Sequence, residues 1–232
     1  MADHLVITRY QERYEYKPIN RKQTVEGRKY QTPDGNAVAS VTTILDKTKP
    51  QERKQALQEW RNRVGHKEAA AITTEAANRG TSMHSHLENW LAFGEIQNKS
   101  NLVHQQSGQM ATRIIEEYLD PNLNEWWGSE VGLFYPELYA GTTDLVGVYD
   151  GVPSIIDFKQ TNKPKKTEWI EDYFLQAAAY AAAHNVVHGT DIRQGVILMC
   201  SKDIQPQHWI IDLAEYEIKW FNRVWEYYHQ NR

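Results

Sequence analysis

The chain has 232 residues, of which 41% are hydrophobic and 24% are charged, and its formal net charge is −4. This composition is typical of a globular domain with a substantial core, and no apolar stretch reaches the ~18 residues that a membrane-spanning helix needs. The single cysteine, Cys200, excludes an intrachain disulfide and a four-cysteine zinc or iron–sulfur site. It fits a reducing, intracellular compartment.

The charges are distributed unevenly along the chain. Residues 1–67 contain 14 Lys and Arg against 8 Asp and Glu, whereas residues 68–232 contain 12 against 22. A basic front part and an acidic remainder fit an acidic metal-binding core with a basic surface that guides an anionic substrate. A chance distribution of solvated charge explains the pattern equally well.

The predicted elements begin with a β-hairpin and continue as helices. Within the first 39 residues, the turn signal Thr32-Pro33-Asp34-Gly35 separates two extended stretches and predicts a hairpin. Ser40 is a candidate N-cap for a short helix that ends before Pro50. Helical patterns follow over 51–64, 67–78, 81–91 and 102–119, and Gly94 and Pro121 are stop signals for the last two.

The second half of the chain alternates strands with helices. Segments rich in Val, Ile, Tyr and Phe predict strands over 130–135, 140–149, 154–159, 192–200 and 207–211, and helices over 167–184 and 213–229. This order predicts an α/β fold, a mixed sheet of about five strands flanked by helices. We divide the compact domain into an N-terminal hairpin (1–39), a helical region (40–126) and a core (127–232).

The most informative stretch is a predicted hairpin that carries two carboxylates. Its turn signal is Asp150-Gly151, and a hairpin closed there places Asp144 directly opposite Asp157. Pro153 lacks a donor and could shift this register by one residue. Opposed carboxylates have Cβ atoms about 5 Å apart and repel each other, so they need a cation, for which a divalent metal with oxygen ligands is suited.

Lys159 completes this pattern. It lies two residues beyond Asp157 and therefore projects from the same face of the strand. Its ammonium could orient a water molecule or stabilise charge on a phosphate. The alternative is a surface hairpin with a salt bridge between Asp157 and Lys159, but the apolar residues on both faces favour a buried strand pair.

Two predicted helices each carry polar side chains four residues apart. His84 and Glu88 share one helix face, whereas His86 projects about 200° around the same helix. An imidazole is a suitable third ligand for a metal held by two Asp residues. Gln176 and Tyr180 share a face of a later helix, whose alanines allow it to lie close to the sheet. From these segments alone, a structural or merely exposed role is the commoner explanation for His84, and a structural role is an equally good explanation for Gln176 and Tyr180.

In their order along the chain, these motifs resemble those of RecB-like nucleases of the PD-(D/E)XK class. The motifs are Gly80-x-x-x-His84-x-x-x-Glu88, Gly141-x-x-Asp144, Asp157-x-Lys159 and Gln176-x-x-x-Tyr180. The stretches that begin at Ser40 and Asp157 resemble in particular the mitochondrial genome maintenance exonucleases and their phage and bacterial relatives. The resemblance covers about residues 38–230 and implies a PD-(D/E)XK (restriction-endonuclease-like) core that hydrolyses DNA phosphodiester bonds.

The resemblance also implies roles for individual residues. One or two Mg²⁺ or Mn²⁺ ions would be held by His84, Asp144, Asp157 and the backbone carbonyl of Phe158. Lys159 would act at the nucleophilic water, Gln176 and Tyr180 would assist catalysis, and Glu88 and Glu130 would support the site. The sequence departs from the usual pattern at Ala39, where a proline is usual, and at Gln160, where Thr or Ser is usual. The second departure puts in doubt how the strand end or a nearby phosphate is held.

Basic and aromatic residues near these motifs are candidates for DNA contacts. They are Arg53, Lys54, Trp60, Arg61, Thr161, Lys163, Lys165 and Lys166. Single-strand binders combine such positive charge with aromatic stacking, although most tryptophans are simply core residues. The resemblance further suggests that the early helices form a cover over the site, which favours single strands with a free end.

We therefore expect a monomeric exonuclease that acts on DNA, preferably single-stranded, in replication, recombination, repair or phage DNA metabolism. We also expect it in the cytoplasm of a bacterial or phage-infected cell, with no targeting segment and no membrane contact. Two alternatives remain: a structure-specific endonuclease of the same fold, and a non-catalytic DNA-binding accessory protein.

Overall fold

The computed structural model describes residues 5–96 and 101–230, and in these ranges eight strands form one mixed sheet. The strands are β1 (Asn20–Thr24), β2 (Gly27–Gln31), β3 (Ala37–Ser40), β4 (Leu123–Tyr135), β5 (Tyr139–Tyr149), β6 (Val152–Thr161), β7 (Gln194–Ser201) and β8 (Pro206–Asp212). The helices are α1 (Leu5–Thr8), α2 (Val41–Lys47), α3 (Gln51–Val64), α4 (His66–Phe93), α5 (Leu102–Ile114), α6 (Asp120–Asn122), α7 (Glu171–His188) and α8 (Ala214–Gln230). A π-helical turn (Ile115–Leu119) follows α5, and a 3-10 turn (Thr167–Trp169) precedes α7.

The centre of the sheet is strand β5, which has three neighbours. Strand β4 pairs with it in antiparallel fashion along its whole length, so β3 and β6 share its other edge. On that edge, β3 pairs in parallel with residues 139–140, and β6 pairs with residues 145–149. The gap between them, over residues 141–144 of β5, is called the sheet fork below.

Helices cover both faces of the sheet. Val146 and Ile155 pack with α2, α7 and α8 on one face, while Leu145 and Ile156 pack with α4 and α5 on the other. Strands that are buried on both faces are continuously apolar, which explains the composition of β5 and β6. The predicted central mixed sheet flanked by helices is confirmed. None of the described helices is long and apolar enough to span a membrane.

The N-terminal region differs from the prediction in how it joins the rest. The turn at Pro33-Asp34-Gly35 does close a hairpin, between β2 and β3, and the Thr32 N–H donates to the Asn36 carbonyl at 2.9 Å. However, β1, β2 and β3 extend the main sheet, which therefore has eight strands in the described residues instead of about five. The proposed boundary at residues 126 and 127 falls inside β4.

The predicted helices over 67–78 and 81–91 form one continuous helix, α4, which has 28 residues. Gly80, which lies between the two predicted segments, does not end the helix and has a packing role. A Cβ atom at Gly80 would lie 3.1 Å from Cγ of Gln160, so this glycine allows the helix to approach the end of β6 closely. Helix α4 ends, as predicted, at Gly94, which adopts the left-handed conformation.

The burial of His184 on α7 leads us to expect that the free energy of unfolding depends on pH. It is fully buried, and its two ring nitrogens lie 3.1 Å from Oη of Tyr16 and 2.8 Å from Oγ1 of Thr190. Burial lowers its pKa to about 3, against about 6.5 in an unfolded chain. The unfolded state therefore binds an extra proton between these values. The stabilisation is complete above pH ~6.5, and each pH unit below it removes about 1.4 kcal/mol of the free energy of unfolding.

Denaturant unfolding at several pH values between 7.5 and 4.5 measures this effect. His184→Gln keeps a hydrogen-bonding side chain but does not titrate, so we expect the pH slope to decrease by close to one proton. An equal slope in the two proteins would contradict the assignment.

Candidate active site

Three carboxylates form a row across the sheet fork. Glu130 lies opposite Asp144 in the β4–β5 register, because the residues on either side of it pair with Leu145 and Thr143. Asp144 lies opposite Asp157, because each residue directly follows or precedes the last pair of the β5–β6 ladder, residues 145 and 156. The register expected from Asp150-Gly151 is therefore confirmed, and the proline in β6 does not shift it.

His84 reaches this row of carboxylates from α4, which covers the same face of the sheet as α5. Its Nε2 atom lies 2.9 Å from the Phe158 carbonyl oxygen, and its Nδ1 atom lies 3.5 Å from Oδ1 of Asp144. The other carboxylate oxygen of Asp144 accepts the backbone N–H of Phe158 at 2.6 Å. The sheet fork is thus the place where His84 of α4 meets Asp144 of β5 and the Phe158 backbone of β6.

Charge interactions in this cluster shift two pKa values in opposite directions. Burial lowers the pKa of His84, but the attraction of Asp144 outweighs it and raises the value to about 9. For Asp144, burial alone would raise the pKa, but the neighbouring His84 and Lys159 hold it below its usual range. In the absence of a metal, a proton on His84 therefore balances the charge of Asp144.

Asp157 and Lys159 form a buried ion pair. Nζ of Lys159 lies 2.5 Å from Oδ2 of Asp157 and 5.1 Å from the ring centroid of Tyr173. Asp157 is only 1% exposed, so the alternative of a surface salt bridge is wrong. Burial raises the pKa of Asp157 to about 6. Burial also opposes the charge of Lys159, but the two carboxylates more than compensate and raise its pKa.

Glu130 occupies a strained position at the end of the row. Its φ of 52° lies in the left-handed region, which costs about 1–3 kcal/mol for a residue with a side chain. Burial, with repulsion from Asp144 and Glu88, raises its pKa to about 7. Glu88 is therefore close enough to contribute to the negative potential of the site. A backbone strained at this point directs a third carboxylate towards the other two.

These residues fit a divalent cation. His84, Glu130 and Asp144 each offer a ligand atom, and these atoms lie within 4.8 Å of one another. Oδ2 of Asp157 is fully buried and, in the described part of the chain, has no hydrogen-bond partner beyond its ion pair. Carboxylate oxygens with one imidazole nitrogen suit Mg²⁺ or Mn²⁺. The group of three neighbouring ligand atoms therefore includes Glu130, to which the resemblance gave only a supporting role. It does not include Asp157, which the resemblance made a ligand and which here pairs with Lys159.

Gln176 and Tyr180 approach the same region from α7. Nε2 of Gln176 donates to Oη of Tyr180 at 3.3 Å. Burial raises the pKa of Tyr180 far above its usual value, so this side chain stays a neutral hydroxyl. A Cβ atom on Gly141 would lie 2.7 Å from that hydroxyl. The glycine in the Gly141-x-x-Asp144 motif therefore leaves the space that Tyr180 occupies.

Gly141→Ala is expected to displace Tyr180 and to lower both stability and turnover. Overpacking of a tight core site costs about 1–3 kcal/mol, because neither the strand nor the buried ring can move freely. Thermal unfolding and cleavage assays measure the two effects. Adding Tyr180→Phe removes the atom nearest to the new methyl group and should recover part of the stability. If Gly141→Ala alone is as stable and as active as the wild type, this packing role is disproved.

The end of β6 is held by Arg79 on α4, a residue that the motif analysis did not identify. Its Nε atom donates to Oε1 of Gln160 at 3.0 Å, a terminal guanidinium nitrogen donates to Asn162, and Nη1 donates to Glu75 at 3.0 Å. Arg79 is only 1% exposed. The residue that departs from the family pattern, Gln160, thus connects the strand of Lys159 to the helix of His84.

Tyr173 is the second residue of the site that the motif analysis missed. It lies in the first turn of α7, with its ring against Lys159. Aromatic residues at helix starts are common in cores, so the sequence contains no signal for this contact.

His84 and His86 give contrasting predictions. His86 is buried against α5, and its Nε2 atom lies 3.1 Å from the carbonyl oxygen of His104. We expect His84→Ala to raise the cation concentration that half-maximal cleavage requires and to lower cleavage strongly. His86→Ala should leave that concentration unchanged and lower only the melting temperature, because it removes a packed ring. A Mg²⁺ titration of both variants tests this, and the reverse pattern would reject His84 as a ligand.

The residues expected to contact DNA lie in two places. Lys163, Lys165 and Lys166 follow β6 directly, and Thr161 is buried with its hydroxyl donating to the Lys163 carbonyl at 2.8 Å. The remaining four are on α3, none of whose residues is buried: Arg53, Lys54, Trp60 and Arg61.

On α3, two of the predicted cations have protein partners. Arg53 donates to the Glu168 carbonyl at 3.3 Å and lies 3.5 Å from the carboxylate of Asp172. Nζ of Lys54 donates to the Lys47 carbonyl at 3.2 Å. Trp60 is half-buried and Arg61 is exposed. Arg53 thus connects α3 to the start of α7, beside the site.

Comparisons with known proteins find curated relatives that share one name. No protein-family model matches the chain. The chain is 29% identical over 208 residues to mitochondrial genome maintenance exonuclease 1 of Mus musculus, with 83% of this chain and 59% of that protein covered. For the Homo sapiens protein of the same name, the identity is 26% over 219 residues, with 83% and 58% covered.

One solved structure, of a protein from Eubacterium rectale described as an exonuclease, is 19% identical with a TM-score of 0.47 and covers 65% of this chain and 63% of that chain. The chain spans about three fifths of the length of the curated relatives that it matches. Across most of its own length, the chain resembles mitochondrial genome maintenance exonuclease 1.

Proposed function

We propose that the protein is a metal-dependent DNA exonuclease that hydrolyses phosphodiester bonds and prefers single-stranded DNA with a free end. The observation that carries the proposal is the convergence of Glu130, Asp144 and Asp157 with His84 and Lys159 at the sheet fork. Relatives named as exonucleases support the same reaction. We place it in DNA replication, recombination or repair, including phage DNA metabolism.

The residues of the site have different roles in hydrolysis. A bound Mg²⁺ or Mn²⁺ at His84, Glu130 and Asp144 would polarise the phosphate and lower the pKa of a water molecule. Lys159 is kept protonated by Asp157, so its Nζ donates to the attacking water or to a phosphate oxygen. Tyr173 covers the ammonium and limits its contact with solvent. Preorganised charge of this kind stabilises the transition state more than the bound substrate.

The preference for single strands rests on α3. This helix buries none of its residues, yet Arg53 fixes it to the start of α7, next to Tyr173 and the site. We infer that a helix in this place narrows the approach to Lys159. A flexible strand with a free end enters such an approach more easily than a stiff duplex.

A cleavage assay with three substrates tests the proposal. End-labelled single-stranded DNA, the corresponding duplex and a covalently closed single-stranded circle are incubated with Mg²⁺, and with EDTA as the control. We expect the linear single strand to be degraded fastest and the circle to survive. Cutting of the circle would replace the proposal by an endonuclease, and binding without products from any substrate would replace it by a DNA-binding accessory protein.

A further inference from the structure

Trp169 is an exposed tryptophan beside the lysines that follow β6. It lies in the 3-10 turn before α7 and is 56% exposed. Nζ of Lys166 lies 5.3 Å from the centroid of its ring. Most large aromatic side chains are buried in folded proteins, and an indole beside an ammonium group in solvent offers both a stacking surface and a positive charge.

The segment that presents Trp169 is fixed at several points. The side chain of Gln207 accepts the Lys165 N–H at 2.7 Å and donates to the Lys165 carbonyl at 2.9 Å. Nε1 of Trp209 donates to Oγ1 of Thr167 at 3.0 Å. These bonds attach the loop and the turn to β8. A rigid aromatic surface loses little conformational entropy when a ligand binds to it.

The position of Trp169 relates it to the site. It precedes Tyr173 by four residues, at the junction of the 3-10 turn with α7, and the Tyr173 ring contacts Lys159. Lys166 lies 4.0 Å from the carboxylate of Glu168, but the two lysines before it add positive charge. In the described ranges, the ammonium groups of Lys163 and Lys165 have no ion-pair partner. Phosphates of a nucleic acid are the anions that such a group of lysines binds.

We propose that Trp169 is a stacking platform for one base of a single-stranded DNA substrate, close to the phosphate that is cleaved. The inference rests on the proposed function and extends it with the residue that holds the strand. A base on this ring brings its neighbouring phosphates to Lys165 and Lys166. Bases of an intact duplex are stacked on each other and cannot use the platform, so Trp169 contributes to the preference for single strands.

Binding measurements with matched variants test the platform. A fluorescent single-stranded oligonucleotide is titrated with protein in EDTA, and anisotropy gives the dissociation constant. Stacking of one base is worth ~1–3 kcal/mol, so Trp169→Ala should weaken binding by about 5- to 150-fold. Trp169→Phe should retain most of the affinity. Trp225→Ala is the control, because Trp225 is 63% exposed on α8 and stacks on His229, away from the lysine segment.

An abasic-site scan identifies stacking specifically. One abasic site is moved along the oligonucleotide, and we expect the wild type to lose affinity at one position where Trp169→Ala shows no further loss. If Trp169→Ala binds DNA as tightly as Trp225→Ala does, the inference is overturned. It is also overturned if the wild type loses the same affinity at every position of the abasic site. If the wild type itself neither binds nor cleaves DNA, the proposed function fails, a result that is distinct from failure of the Trp169 variant alone.

Discussion

Asp144→Asn is expected to abolish cleavage while the protein remains folded. Asp144 is the middle carboxylate of the row and contacts both His84 and the Phe158 N–H, so an amide removes the negative charge that a cation needs. The amide oxygen still accepts the N–H, and the repulsion among the three carboxylates decreases. Because the amide also removes the counter-charge of His84, the two effects oppose each other, and we expect only a small change of the melting temperature in EDTA. Turnover near that of the wild type with Mg²⁺ would refute the assigned site.

Asp157→Asn is expected to abolish cleavage as well, but with a larger loss of stability. Asp157 is the counter-ion of Lys159, and removal of one partner from a buried pair costs about 3 kcal/mol because a charge is left unpaired. Adding Lys159→Met removes that charge and should restore the melting temperature without restoring activity. Thermal unfolding of the two single variants and the double variant distinguishes these effects. Equal melting temperatures for Asp144→Asn and Asp157→Asn would contradict the pairing described here.

Lys159→Met is expected to reduce turnover by several orders of magnitude and to leave DNA affinity nearly unchanged. The methionine keeps the shape of the side chain but cannot donate to water or phosphate, and this interaction is used mainly in the transition state. Lys165→Ala with Lys166→Ala should do the reverse and weaken binding more than turnover at saturating DNA. Each phosphate contact contributes about 0.7 to the dependence of log affinity on log salt, so this slope should decrease by about 1.4.

Binding at several salt concentrations and single-turnover cleavage measure the two effects separately. Similar losses of affinity and turnover in both variants would contradict the division between a catalytic lysine and phosphate-binding lysines. The control is Lys202→Ala, which changes an exposed lysine in the turn after β7.

The register of the β5–β6 hairpin could be predicted from sequence because it depends on local chemistry. Asp150-Gly151 specifies a tight turn, and alternation along a strand then fixes the partner of Asp144 and the face of Lys159. The same local logic separated His84 from His86, since positions two residues apart on a helix point in different directions. Such features depend on a few neighbouring residues, which a single sequence contains in full.

Other features could not be predicted because they depend on packing between distant segments. The packing role of Gly80 depends on its contact with Gln160, which lies eighty residues later in the chain. Arg79 is a typical surface residue of a helix by its type, and only the folded chain brings Gln160 and Asn162 to its guanidinium. The side chain of Glu130 lies near His84 and Asp144 at a point where the backbone of Glu130 adopts an uncommon, left-handed conformation.

The order of the site residues along the chain determines when the candidate site can be completed during synthesis. The residues at the sheet fork extend from His84 to Lys159, so a ribosome that has translated α4 has made the histidine but none of the three carboxylates. Contacts across such long stretches of chain form late in folding. Because α7 supplies Tyr173 and Tyr180 after all of them, a nascent chain has no complete site until almost the whole domain has left the ribosome.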